Sequence, residues 1–419
     1  MKKYDILVAG GGFAGIGAAA AAASLGKSVL LVEKGGCLGG AAANALVLPF
    51  MPYSTLKKNS DGSSKRIFLV RGIFEEITDM LTLKNAGDKY YFNTDRLKTV
   101  LDEFVTAAGV DVLFHTSVYS VNRTGRRLDS VSVTSVGGSF SVEASYFIDA
   151  TGDANLSYLA GCGCKKGRET DNLCQPMTLC FRVSGAPYDE VIKCKDEMNR
   201  LYAEKRGTGE IKNPREDILL FKTRDPNIIH FNTTRVVKLD PTDPVALSAA
   251  EMAARRQMVE MVDFLKANFP VFKNADIVCS APEIGVRESR MVNGEHLLTG
   301  KELVELTKFP DAVAAGNYDI DIHNPEGEGT SHYYFPAGEY YTIPLGSLIA
   351  KDADNLFIAG RCISCDHEAQ ASIRIMPICC ATGHAAGAAA AVAVDMSCTA
   401  KDVDIKKVQH TIKAQNGFF

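Results

Sequence analysis

The sequence has no block of like charge, and its 419 residues carry a net charge of only −4. Tracking along nucleic acid or an anionic membrane is therefore not expected. It also lacks a convincing membrane span. The first alanine-rich stretch carries Lys27 after a glycine-rich opening, and the last, PICCATGHAAGAAAAVAV, holds His384 among many small residues. An export signal is absent from this reading too. MKKYDILVAGGG sets two lysines before an apolar run, but glycines interrupt that run and a strand suits it better. Without such a signal, the 12 cysteines are read as reduced thiols of a cytoplasmic protein. Internal repeats are missing, and low complexity is confined to alanine-rich helices. What remains is ordinary globular composition, 46% apolar and 23% charged, in a chain long enough for two or three domains with a substantial core.

The opening of the chain is its clearest local pattern. An apolar run at residues 4–8 is followed by GGGFAG, a small-residue helix over 14–25, and a second apolar run over 28–32 that ends at Glu33. Strand, glycine turn, helix and strand make the start of a dinucleotide-binding unit. Gly10, Gly12 and Gly15 occupy the G-x-G-x-x-G positions. They provide a tight turn, close approach of pyrophosphate to backbone, and close helix–strand packing. The helix N-terminus offers free N–H groups to phosphate, and Glu33, with Lys34 beside it, is placed at the ribose. A second glycine-rich stretch, KGGCLGGAA, stands where another helix would continue an NAD-binding fold. Gly39 and Gly40 there bring backbone N–H groups along a longer cofactor.

A helix is expected from residue 93 to about 108, with Thr94 or Asp95 as its cap. Alternating segments then run to SFSVEASYFIDATGD, separated by TGRR and Gly137-Gly138, and read as a β-meander returning to the main sheet. Residues 164–336 have another texture, with charged helical stretches at 188–206 and 244–267, and suggest an inserted cap. Residues 51–90, containing KKNSDGSSK, are assigned to the same side. NLFIAG near the C-terminus is a buried type of strand. A helix beginning near Pro377 follows it, carrying Gly383 and Gly387.

DILVAGGGFAGIGAAAAAASLGKSVLLVEK, FIDATGDANLSYLAGC, IGVRESRMVNGEHLLT, DIDIHNP, YTIPLGSLI and NLFIAGRCISCDHEAQASIRIMPICCATGHAAGAAAA occur in that order. Together they resemble the FAD-dependent oxidoreductase family of glutathione-reductase-like (GR2-type) fold, most of whose members have no assigned substrate. The resemblance implies an α/β chain with a Rossmann-like three-layer FAD-binding domain formed by residues 1–50, 91–163 and 337–419. An α+β substrate cap would be formed by 51–90 and 164–336. It also implies that Val118 meets adenine through its backbone, and that Gly152 and Asp153 lie in the ATG-type segment. Gly360 and Arg361 would lie near the phosphate and ribityl part, and Ile375 to Pro377, Met376 included, beside the flavin ring. Many related flavoproteins carry aspartate where Arg361 stands, and a small residue other than cysteine where Cys365 stands.

The chemistry expected of this scaffold is hydride transfer between FAD and a small polar substrate, with the arginines favouring an anion. His367, after the strand that faces the flavin, is a candidate general acid or base; packing on the cofactor or a neighbouring loop is the alternative. Arg374 suits an anionic substrate, the flavin, or an ion pair with Glu368 or Asp366, and Arg287 and Arg290, flanking Glu288, suit a carboxylate or form an ion-pair network. His323 and the Tyr340-Tyr341 pair are further pocket candidates. NAD(P)H is expected only as a transient donor, because one dinucleotide fingerprint is present. Cys362 and Cys365 form a C-x-x-C that could relay electrons to a protein or dithiol partner, although a structural role is preferred. Cys379 and Cys380 make poor partners for zinc, so no metal is expected. A third reading, a bound flavin with no net redox role, stays open, as do homo-oligomerisation and the electron acceptor.

Overall fold

The computed structural model describes residues 3–58 and 62–419. Met1, Lys2 and residues 59–61 of the KKNSDGSSK stretch lie outside the described residues. The first apolar run forms strand Tyr4–Ala9, which pairs in parallel with Val29–Val32 on one side and with the end of Gly138–Asp149 on the other. Asp111–Leu113 extends the sheet beyond Val29–Val32, and Leu356–Ile358 joins it beside Gly138–Asp149. Strands flanked on both faces need apolar side chains throughout. Accordingly VLLV and LFI are buried at every position.

The 12-residue strand Gly138–Asp149 serves two layers. Its first half pairs antiparallel with Arg127–Ser135, which in turn pairs with Ser117–Thr124, giving the expected meander. Its second half enters the parallel sheet. The helix expected from residue 93 is Thr94–Ala107. Its cap is Asn93, one residue earlier than expected, whose side chain accepts the N–H groups of Asp95 and Arg96.

Two small-residue helices, Phe13–Ser24 and Met376–Met396, pack backbone to backbone on this sheet. A Cβ added at Gly383 would sit 1.9 Å from the Ala14 carbonyl oxygen, and one at Gly387 would sit 2.2 Å from that of Ala18. Residues four apart share one helix face, so both glycines meet the same neighbour. Met376–Met396 is long and apolar enough to cross a membrane, but 83% of its most apolar window is buried inside the protein. Helix Ile73–Leu83, from the segment assigned to the cap side, packs in the same core through Phe74, whose ring meets Phe13 and Phe50.

A second core surrounds an antiparallel sheet ordered Leu220–Lys222, Ile228–Phe231, Phe181–Ser184 and Asp276–Ser280. The Phe181 and Phe231 rings stack at 5.0 Å in its centre. Helices Lys195–Gly207 and Pro244–Asn268 supply Tyr202 and Phe264 to this core. The mixed α/β architecture is that of a Rossmann-like nucleotide fold with an added antiparallel unit.

The helix pair yields a direct test. Gly387→Val forces the two backbones apart and is expected to destabilise the protein by about 3 kcal/mol or more. Gly207→Ala, with nothing within 4 Å of its Cβ position, is expected to be neutral or stabilising by under about 1 kcal/mol. Chemical denaturation of both variants measures the contrast, and equal stabilities would contradict the packing.

Candidate functional site

The glycine turn is built by contacts that leave no room for side chains. Gly10 has a φ of 102°, and a Cβ there would lie 2.4 Å from the Ala150 carbonyl oxygen. A Cβ on Gly15 would lie 1.7 Å from the Gly10 carbonyl oxygen, so Gly15 works in the helix–strand contact and not on the cavity. Gly12 caps helix Phe13–Ser24 with no side chain accepting from its first turn and no acid within it. The positive end of the helix is thereby left for an anion. Gly39 and Gly40 lie opposite, with Gly39 N–H donating to the Gly11 carbonyl at 2.9 Å.

These glycines open onto a cavity of about 870 Å³. Gly10, Gly12, Glu33, Lys34, Gly39, Gly40, Gly152, Asp153, Gly360, Arg361, Ile375 and Met376 all line it. Glu33 is buried, and its two carboxylate oxygens accept the N–H groups of Gly11 and Gly35, each at 2.6 Å. Lys34 pairs with Glu283 at 3.1 Å. Arg361 donates through Nε to the Gly152 carbonyl at 2.9 Å and pairs with Asp153, which also accepts from Ser289. Burial would raise the Asp153 pKa, but Arg361 and Ser289 outweigh it and hold the carboxyl below its ordinary range. The arginine found in an aspartate position thus ties the Gly360 turn to the ATG-D segment. Val118 does not line the cavity; it lies on strand Ser117–Thr124 against the core on the far side of the sheet.

The other end of the cavity is charged. Arg287 donates through one terminal nitrogen to the Pro176 carbonyl and to Thr178 Oγ1, both at 2.6 Å. Burial, together with the nearby charges of Arg374 and Arg215, pulls its pKa down to about 9. Arg374 reaches the Asp321 carbonyl and carboxylate at 3.3 Å, while its Nε is buried without a partner. Asp321 Oδ2 also accepts from Tyr318 at 3.2 Å and lies 3.4 Å from His323 Nε2. Arg235, which can only donate, faces His323 Nδ1 at 3.1 Å. His323 therefore keeps its lone pair on Nδ1 and its proton on Nε2. Burial and the Arg287 charge hold its pKa well below the ordinary value, so the ring is neutral. Burial alone would raise the Asp321 pKa, but His323 and Arg374 outweigh it and keep the carboxylate ionised.

Two expected catalytic residues are elsewhere. His367 does not line the cavity: its Nδ1 lies 2.8 Å from Glu288 Oε1, and the buried Glu288 takes the Gln175 N–H on its other oxygen. A buried carboxylate needs such partners, and this need draws the histidine inward. Arg290 also misses the cavity; it lies 4.2 Å over the Tyr158 ring and donates to the Asp153 carbonyl. Cys362 and Cys365 are free, fully buried and off the cavity. Burial raises both pKa values well above the thiol range, so neither provides a reactive edge. Tyr341 is buried against Ser372. Asp321, Arg215, Glu216 and Cys379, none of them expected from sequence as a site residue, do line the cavity. Alternation along DIDIHNP sets Asp321 and His323 on one strand face, a signal that was available.

The profile of the FAD dependent oxidoreductase family matches residues 5–412. The chain belongs to that family. FAD is the cofactor of this oxidoreductase, and the uncapped helix end and the glycine cradle fit its diphosphate. The soluble pyridine nucleotide transhydrogenases of Mycobacterium bovis and Mycobacterium tuberculosis are 51% identical to it over 49 residues, 12% of this chain and 10% of theirs. The chain thus matches only about a tenth of the length of these curated relatives. A geranylgeranyl bacteriochlorophyll reductase-like protein from Thermoplasma acidophilum is 13% identical, with a TM-score of 0.47 over 99% of this chain and 83% of that one. The myxobacterial FAD-dependent halogenase CndH is 14% identical, with a TM-score of 0.43 over 99% and 79%.

Burial of the C-x-x-C pair in this oxidoreductase makes a labelling prediction. In the native protein, iodoacetamide is expected to spare Cys362 and Cys365 while reacting at the partly exposed Cys194 and Cys398. Peptide mass mapping reads the result, and early modification of Cys362 or Cys365 would restore the dithiol as a candidate relay.

Proposed function

We propose that the protein exchanges a hydride between FAD and a small, polar, anionic substrate at the arginine end of the cavity. We also place it in the glutathione-reductase-like (GR2-type) branch of its family. The branch assignment is supported by the order of its glycine, ATG-D and C-terminal motifs. One observation carries the functional reading: the glycine cradle lines the same cavity as Arg287, Arg374 and Asp321.

When bound, FAD supplies a two-electron donor or acceptor to a substrate carbon. Gly10, Gly12, Glu33, Lys34, Gly39, Gly40, Gly152, Asp153, Gly360 and Arg361 would hold the dinucleotide, and Ile375 and Met376 would flank its ring. Arg287 and Arg374 bind and orient the substrate anion. Ionised Asp321 and neutral His323 fix Arg374 in place, and Arg235 keeps the histidine in its Nε2–H form. Ile375, Met376 and the buried wall of helix Met376–Met396 keep water from the reacting carbon.

The test is anaerobic bleaching of the flavin absorbance during a screen of small organic acids and NAD(P)H. Reduction by an acid, or reduction by NAD(P)H followed by reoxidation with an acid acceptor, is expected. A protein that takes up FAD, yet whose flavin no donor reduces, would instead favour a non-redox use of the cofactor.

His367→Gln separates the two roles considered for that residue. Withdrawn from the cavity, the histidine is expected to matter to stability by about 1–3 kcal/mol, because a buried Glu288 oxygen loses its partner. Turnover should stay within a few-fold of wild type, in contrast to the roughly 100-fold or greater loss that removal of a general acid–base group brings.

A further inference from the structure

The charges around the arginine end of the cavity do not balance. Arg215 pairs with Asp217 at 2.8 Å, Arg235 with Glu216 at 3.1 Å, and Arg374 with Asp321 at 3.3 Å. Arg287 is left over. Among the described residues no carboxylate lies within ion-pair distance of it, and its only side-chain hydrogen bonds go to the neutral Pro176 carbonyl and Thr178 hydroxyl. A cation drawn into a protein without a counter-ion is strongly disfavoured; three other guanidinium groups act against it, and the one carboxylate that favours it, Asp321, is already paired with Arg374.

The geometry leaves a particular set of donors. Both bonds made by Arg287 use one terminal nitrogen, so Nε and the other terminal nitrogen remain as a planar, two-pronged edge. Arg374, which lines the same cavity as Arg287, has an unpartnered Nε. One uncompensated positive charge calls for a monoanion, and a planar fork suits a planar anion with two equivalent oxygens.

We propose that Arg287, assisted by Arg374, forms a carboxylate-binding subsite, and that the substrate is a carboxylic acid held by that group. Gln370 donates to the Arg287 carbonyl at 2.7 Å, and Gln175 donates to the Gln370 side chain at 3.0 Å. Both glutamines are buried and fix the arginine backbone. The carboxylate is the counter-ion that the fold itself does not supply. This inference takes the arginine end of the cavity as the substrate end and so rests on the proposed function, but its test does not depend on turnover.

The experiment titrates FAD-loaded protein with acetate, isobutyrate and benzoate, with the corresponding amides, and with inorganic phosphate. Perturbation of the flavin absorption bands and the midpoint of thermal unfolding are read together, and the thermal series is repeated on protein stripped of FAD. At least one acid is expected to bind, with its amide and phosphate weaker by roughly 100-fold. Arg287→Met should weaken the acid by a similar factor while FAD is retained. If that variant fails to fold, Arg287→Lys keeps the charge but loses the fork, and is expected to weaken the acid by roughly 10-fold. Equal binding of acids and amides, tighter binding of phosphate, or no binding of any acid would overturn the proposal. So would loss of FAD rather than of acid in Arg287→Met, because the cofactor would then be the counter-ion. Acid binding through Arg287 to a flavin that no donor reduces would sink the redox reading alone. A substrate that reduces the flavin but binds Arg287→Met unchanged would sink the subsite alone.

Discussion

The close contact of two helix backbones sets the geometry on which the rest of the site depends. Ala14 meets Gly383 and Ala18 meets Gly387, so helices Phe13–Ser24 and Met376–Met396 run parallel and in fixed register. Met376–Met396 begins six residues before the level of Phe13, a projection of roughly 9 Å at helical rise. Two uncapped helix N-termini therefore open on one cavity, staggered along its length. Small residues make this possible, because a larger side chain at either glycine would separate the helices and disturb the stagger. Burial of 83% of its most apolar window places Met376–Met396 in the interior of the protein.

Charge is distributed along the cavity in a matching way. At the glycine end, backbone N–H groups and helix ends provide partial positive charge, while Glu33 and Asp153 are held by N–H, hydroxyl and guanidinium donors. At the far end full guanidinium charges cluster, three with their own acids and one without. Such a cluster is tolerated because Asp321 is shared by Arg374, His323 and Tyr318, and because Arg235 locks the imidazole in one tautomer. His323 thereby becomes a neutral spacer between charges, a role that its neutrality makes possible.

Beyond Gly360 and Arg361, which line the cavity, the stretch CISCDHEAQ builds the wall behind it. Cys362 and Cys365 give their S–H groups to backbone carbonyls in the interior, where desolvation disfavours the thiolate needed for exchange chemistry. His367 is taken up by Glu288, which in turn anchors Gln175. Cys379 does face the cavity, yet burial pushes its pKa up to about 12, and it too behaves as a thiol. Reactive residue types at a working edge are thus diverted by the need to satisfy buried polar groups.

The nucleotide half was legible in the sequence because its constraints are local. Glycine spacing, an apolar run on either side, and an acid at the end of the second strand are all fixed within about thirty residues of backbone geometry, and Gly10, Gly12, Glu33 and Gly39 fall where that geometry requires. The meander was legible for the same reason, through alternation and turn residues. The arginine end of the cavity was not. Arg287, Thr178, Asp321, His323 and Arg235 come from distant segments, and which arginine keeps an acid and which goes without depends on distances across the fold. Sequence could name Arg287 and Arg290 as equals; only tertiary packing turned one toward the cavity and laid the other on Tyr158. Sequence by itself determined the glycine cradle, where backbone geometry sets the shape. Tertiary structure decided the chemistry opposite it, because burial and charge pairing are properties of neighbours that the chain brings together only when folded.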